Sequence, residues 1–195
     1  MGRPLPAMPR RFGPFATRVA VAGCSCVCVL AIALTGASQS ISGSSSLSSV
    51  FHIEKSENRN QVHYGVKVDG ACRPAGNTPV YGYWRDLEVG PRATSPLLSH
   101  ELPAYGLTRP KKIDRNDNGG EIKIGLRGFP DRQLVVQTFS EGGKCRARAF
   151  TKIKGQPAIL RSIYVELGFL FSIDYVIVRG VAPDDGRAVQ EKVND

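Results

Sequence analysis

The chain has 195 residues, 42% of them hydrophobic and 22% charged, which admits one ordinary domain with an appendage and excludes a disordered or fibrous protein. Twenty-one glycines and thirteen prolines favour short strands and tight turns over long helices. The formal charge of +9 falls to +5 without the first 37 residues, when 22 basic side chains face 17 acidic ones; so mild an excess is no footprint of nucleic-acid binding, and no nucleic-acid partner is expected.

From the N-terminus, Met1 to Arg18 hold Arg3, Arg10, Arg11 and Arg18 and no acid. Val19 to Leu34 follow as an apolar run, ending on Thr35, Gly36 and Ala37. Basic, apolar and small-residue regions in that order are the pattern of a secretory signal. Residues 1–37 are therefore read as a signal peptide cleaved after Ala37, and the protein as exported to the periplasm or the cell exterior. The run is short of the ~20 residues that span a bilayer, so no transmembrane segment should remain after cleavage; an uncleaved signal would leave the chain membrane-anchored. Val21, Ala22, Gly23 and Cys24 also match a lipoprotein box, although an ordinary apolar region containing Cys24, Cys26 and Cys28 explains these residues more simply. Ser38 to Ser49, with eight serines in twelve residues, cannot bury enough apolar surface to offset the entropy of ordering. Residues 38–50 are read as a flexible linker, 51–190 as the folded domain and 191–195 as a C-terminal tail.

Within the domain the apolar residues recur with period two. Val62, Tyr64, Val66 and Val68 oppose His63, Lys67 and Asp69, and Val80 to Leu87 is a β-branched and aromatic run. A short helix is expected near 96–104, where Leu97, Leu98, Glu101 and Leu102 fit one helical face. Ile122, Ile124 and Leu126 alternate with Glu121, Lys123 and Arg127, and Gln133 to Phe139 follows. Ile163, Val165 and Leu167 alternate with Ser162, Tyr164 and Glu166, and Asp174 to Arg179 closes the series. Phe169, Leu170 and Phe171 make an apolar tip between two strands, expected to pack at a hairpin base. The pattern predicts an all-β fold: a single antiparallel β-sandwich or open barrel of about eight strands. A monomer is expected.

The clearest alternation runs from Lys144 to Lys154. Lys144, Arg146, Arg148, Lys152 and Lys154 share one parity, broken only by Phe150, while Cys145, Ala147, Ala149, Thr151 and Ile153 share the other. This places a cationic face outward and a small apolar face inward. The five cations are candidate contacts for an anionic envelope polymer, a glycan or a lipid headgroup; alternating lysines also keep an exposed edge strand from pairing with neighbours. Tyr81 and Tyr83 share a face and are candidates for stacking a sugar, whereas Trp84 takes the opposite face and belongs to the core. Cys72 and Cys145 remain as an even pair after signal removal and are expected to be bridged, closing a loop of about 70 residues worth roughly 4 kcal/mol; two separately buried thiols are the alternative.

Catalytic chemistry is faint. His52, His63 and His100 show none of the short spacings of metal ligation, and no nucleophile motif is visible. His52 and His63 remain candidate bases for a site that only the fold would assemble. Asp114, Asn116 and Asn118, followed by Gly119, match the first half of a calcium loop, but Gly125 stands where the bidentate glutamate belongs. A hairpin turn explains the same residues. No cofactor is implied.

The chain resembles a bacterial family of exported proteins known as domain of unknown function 4833, over roughly Phe51 to Val189. The resemblance rests on Phe51 to Lys55, Asn58, Asn60 and Val62 to Tyr64; on Pro79, Val80, Tyr83 and Trp84; on Ala104 to Gly106; and on Ala158 to Val165, Tyr175 to Gly180, Pro183 and Gly186. It implies the domain boundary and brings no activity and no catalytic residue. The basic strand is not part of the resemblance. The expected function is a non-enzymatic binding module of the cell envelope, with an extracytoplasmic hydrolase or a purely structural envelope protein as the alternatives.

Overall fold

A computed structural model of the chain describes residues 44–169 and 172–194. The stretch read as a signal peptide, with the residues that match a lipoprotein box, lies outside the described residues, as do Leu170 and Phe171 of the apolar tip. Phe169 is described, and it projects into solvent at 87% exposure rather than packing at a hairpin base. Among the described residues no helix is long and apolar enough to cross a membrane.

Strands make up most of the described chain, as its turn-rich sequence predicts. The strands are β1 (Ser45–Lys55), β2 (Asn58–Val68), β3 (Val80–Arg85), β4 (Thr94–Pro96), β5 (Lys112–Asn116) and β6 (Gly119–Leu126), with β7 (Phe129–Glu141), β8 (Lys144–Ile153), β9 (Gln156–Leu167), β10 (Ile173–Val181) and β11 (Ala188–Asn194) after them. The one α-helix among the described residues, α1 (Leu102–Tyr105), covers only the end of the expected 96–104 span. Pro103 explains the late start, because proline fits only the first turn of a helix.

All eleven strands join one open sheet in the order β4-β3-β2-β1-β9-β8-β7-β6-β5, with β10 on the other edge of β9 and β11 beyond it. Every ladder is antiparallel except β1–β9. β9 is the pivot. Its first half pairs with β8 (Ala149↔Leu160) and its second half with β1 (Ile53↔Ile163). Two strands sharing one edge must diverge, so the β1–β4 arm and the β8–β5 arm face one another. Between them lies the core: Phe51, Val62, Tyr64 and Val66 from one arm, Ile122, Leu126, Leu134 and Val136 from the other. Phe51 and Tyr64 stack at 4.5 Å, and the Tyr64 hydroxyl donates to the Tyr105 carbonyl at 2.7 Å. Cys72 and Cys145 are bonded, fixing the β2–β3 loop to β8.

Two boundaries differ from expectation. β1 starts at Ser45, inside the serine-rich stretch read as a linker, with Ser45, Ser46 and Leu47 pairing with Val68, Lys67 and Val66. Ladder hydrogen bonds come from the backbone and require no apolar side chain, while Leu47 and Val50 do reach the core. At the other end, residues 191–194 are paired strand rather than tail, Glu191 to Asn194 facing Val178 to Tyr175.

Candidate functional site

The basic strand is where its alternation predicts. In β8 Arg146, Arg148 and Lys152 are exposed along with Lys144, and Ala149, Thr151 and Ile153 are buried. β8 is not an edge, however: it lies between β7 and β9, so protection against edge pairing does not account for its charges. Lys154 leaves the face. With φ of 51° beside Gly155 at 77°, it forms the two-residue turn into β9, both residues left-handed as a type I′ hairpin requires.

Glu141 is shared by Arg146 at 3.6 Å and Arg148 at 3.7 Å, and the Arg148 guanidinium lies 5.0 Å above the Phe139 ring. Phe150, the residue that breaks the cationic alternation, points outward between Arg148 and Lys152. It lines two hollows at once. One, of about 350 Å³, is lined by Phe139 and Arg148 as well. The other, of about 680 Å³, also takes in Lys152 and Phe129 and is closed by Val193 of β11. β11 is tied to this face by Arg132, which donates to Glu191 at 2.8 Å and to the Lys152 carbonyl and lies 5.0 Å over Phe129. Burial opposes ionisation of Glu191, but the Arg132 hydrogen bond and the Lys154 N–H outweigh it and hold this carboxyl below its usual range.

The histidines meet on the other arm. His52 and His63 are partners across β1–β2, their rings stacked at 5.0 Å. His52 Nε2 reaches Glu54 at 2.7 Å, and Glu54 accepts from Arg179 at 3.3 Å. Gln61 Oε1 can only accept, so His63 carries its proton on Nε2 (2.9 Å), and Nδ1 accepts from the Ser49 hydroxyl at 2.8 Å. Ser49 falls where the β1–β2 register breaks and has a left-handed φ of 63°. Burial, then the neighbouring His52, lowers the His63 pKa to about 4. His100 is exposed on a turn. Tyr81 and Tyr83 stack at 5.9 Å and Tyr83 lies 5.9 Å from His63, continuing the aromatic row; Trp84 is buried on the opposite face, its indole N–H donating to Glu101 at 2.8 Å.

The calcium-like residues form the β5–β6 hairpin. Asp114 pairs with Lys112 at 2.7 Å, and Asn116 Oδ1 accepts the Asn118 N–H at 3.2 Å. Among the described residues no three His, Cys, Asp or Glu side chains are grouped to hold a metal ion.

Sequence reasoning missed Phe150 as a site residue, although it is the single exception in the strongest pattern in the chain. It also missed Ser49, Arg132 and Glu191, whose partners lie 14 and 59 residues away and left no local signal, and Gln61, which stands two residues from His63 on the same strand face.

Residues 51–192 match the model of the family described as Domain of unknown function (DUF4833). The chain belongs to that family. The landmarks that carried the resemblance converge in this DUF4833 domain: Lys55 Nζ lies 5.3 Å from the Trp84 ring, which meets Tyr105 edge-on at 5.4 Å. No curated protein and no solved structure matches the chain.

Proposed function

We propose that this DUF4833 domain is an exported, non-enzymatic binding module that holds an anionic ligand on the outer face of β8. The observation that supports it most is the placement of Arg148 and Lys152 on the rims of adjoining hollows that share Phe150. Concave sites with an apolar floor and a few convergent charges are the usual form of a ligand site. A purely structural envelope protein would need no such hollows. Export is supported by the Cys72–Cys145 bond, which belongs to oxidising compartments, and by the signal pattern in the first 37 residues.

The test is charge reversal. Arg146→Glu with Arg148→Glu should weaken binding of oligogalacturonate or of anionic phospholipid vesicles at least tenfold at low salt. Both side chains are exposed, so stability should change by only about 0.5 kcal/mol. Equal binding by the variant and the wild type would remove the reading.

One observation favours a second reading, an extracytoplasmic hydrolase. Ser49, His63 and Gln61 stand as hydroxyl, base and orienting group, the arrangement of an activated nucleophile. The carboxylate expected beside a histidine is present, but on His52. A fluorophosphonate probe should then label Ser49 in the wild type and not in His63→Gln; an unlabelled wild type excludes it.

A further inference from the structure

We propose that the hollow between β11 and the outer faces of β7 and β8 takes the chain of a single-chain anionic amphiphile, with Lys152 at its mouth meeting the charged head. This rests on the reading that the outer face of β8 binds an anion, and it names the chemical class of that ligand. At about 680 Å³ the hollow falls within the range of small-molecule sites. Phe129, Val135, Phe150, Pro157 and Val193 supply an apolar lining too large to be the footprint of a simple inorganic anion or of a sugar's hydroxyls.

The charged groups around this lining divide into one engaged pair and two, Lys152 and Asp131, that have no ion pair among the described residues. Arg132 and Glu191 neutralise each other at 2.8 Å, and Arg132 further donates to the Lys152 carbonyl. They hold β11 against the hollow and build its wall. Among the described residues the Lys152 ammonium has no carboxylate within 4.0 Å, and it stands on the same face as Arg146 and Arg148, whose shared acid is Glu141 alone. Counted over the whole outer face, Arg146, Arg148 and Lys152 outnumber Glu141 and Asp131 by one, so the charge left over is positive, beside an apolar chamber. An extended polyanion would use the cations and leave the chamber empty, and a neutral lipid would fill the chamber and leave Lys152 unmatched. An amphiphile with a compact anionic head satisfies both.

Calorimetric titration with laurate, butyrate and a neutral dodecyl maltoside, each below its micelle concentration, tests the assignment. Laurate should bind one to one, and butyrate at least tenfold more weakly. Val193→Trp should fill the hollow and lower laurate affinity at least tenfold. Val135→Asn should do the same by making the lining polar, without added bulk, so that a folding defect in one variant does not obscure the result. Lys152→Glu should weaken laurate while leaving the maltoside unchanged. Laurate bound no better than butyrate, or bound undiminished by Val193→Trp and Val135→Asn, overturns the proposal. If oligogalacturonate binding still depends on Arg146 and Arg148 in that case, only the chain assignment falls; if that dependence is lost too, the anion-binding reading falls with it.

Discussion

His63 folds in its neutral form, and this gives the domain a defined response to acid. An imidazole in the unfolded chain takes up its proton near pH 6.5, whereas burial and the stacked His52 delay protonation of folded His63 to about pH 4. Between those values the unfolded chain binds more protons, so stability should fall as the pH drops from about 6.5 to about 4 and level off below. The loss should reach about 3 kcal/mol at most. Urea unfolding at several pH values should show this slope in the wild type and a flatter one in His63→Gln; identical slopes would contradict it. Gly65 is a second residue with a definite role. A methyl group there would lie 2.6 Å from the Tyr81 ring and 2.8 Å from the Leu47 carbonyl oxygen, so Gly65→Ala should cost about 1–3 kcal/mol, read as a lower urea midpoint. Neither role was legible in the sequence, because each depends on a neighbour supplied by another strand.

At the scale of elements, period-two patterning located the strands well wherever one strand served one face. β8 is the clear case, its cations outward and Ala149, Thr151 and Ile153 inward. β9 is the instructive exception. Ala158 and Leu160 face the core opposite β8, whereas Ile163 faces it opposite β1, so the inward parity changes near Arg161. The β9–β10 register shifts there, between Arg179 and Gly180, which lets one strand serve two diverging arms. No single alternation describes such a strand, and the sequence reading captured only its second half. The disulfide acts at this scale, because it fixes the β2–β3 loop of one arm to β8 of the other. Its cysteines are 73 residues apart, and replacing both by serine should cost roughly 4 kcal/mol by the loop-entropy argument. The urea midpoint in the double variant should fall to match that of the reduced wild type.

For the whole molecule, composition and turn chemistry led to an all-β sandwich or open barrel, which the structure realises as one open sheet with a single parallel ladder, and the cysteine count led to its bridge. The strand count was too low because β1 begins among serines and because short strands such as β4 and β5 carry too few residues to show a period. The candidate site was half legible. Arg146, Arg148 and Lys152 announced themselves, while the larger hollow beside them takes its far wall from β11, which returns to β7 and β8 through the Arg132–Glu191 pair. Amide chemical-shift mapping of the labelled domain with oligogalacturonate and with laurate tests the central claim most directly. Both probes should shift residues 146–152, and laurate should also shift Val135 and Val193. Shifts confined to His52, His63 and Tyr83, or none with either probe, would contradict it.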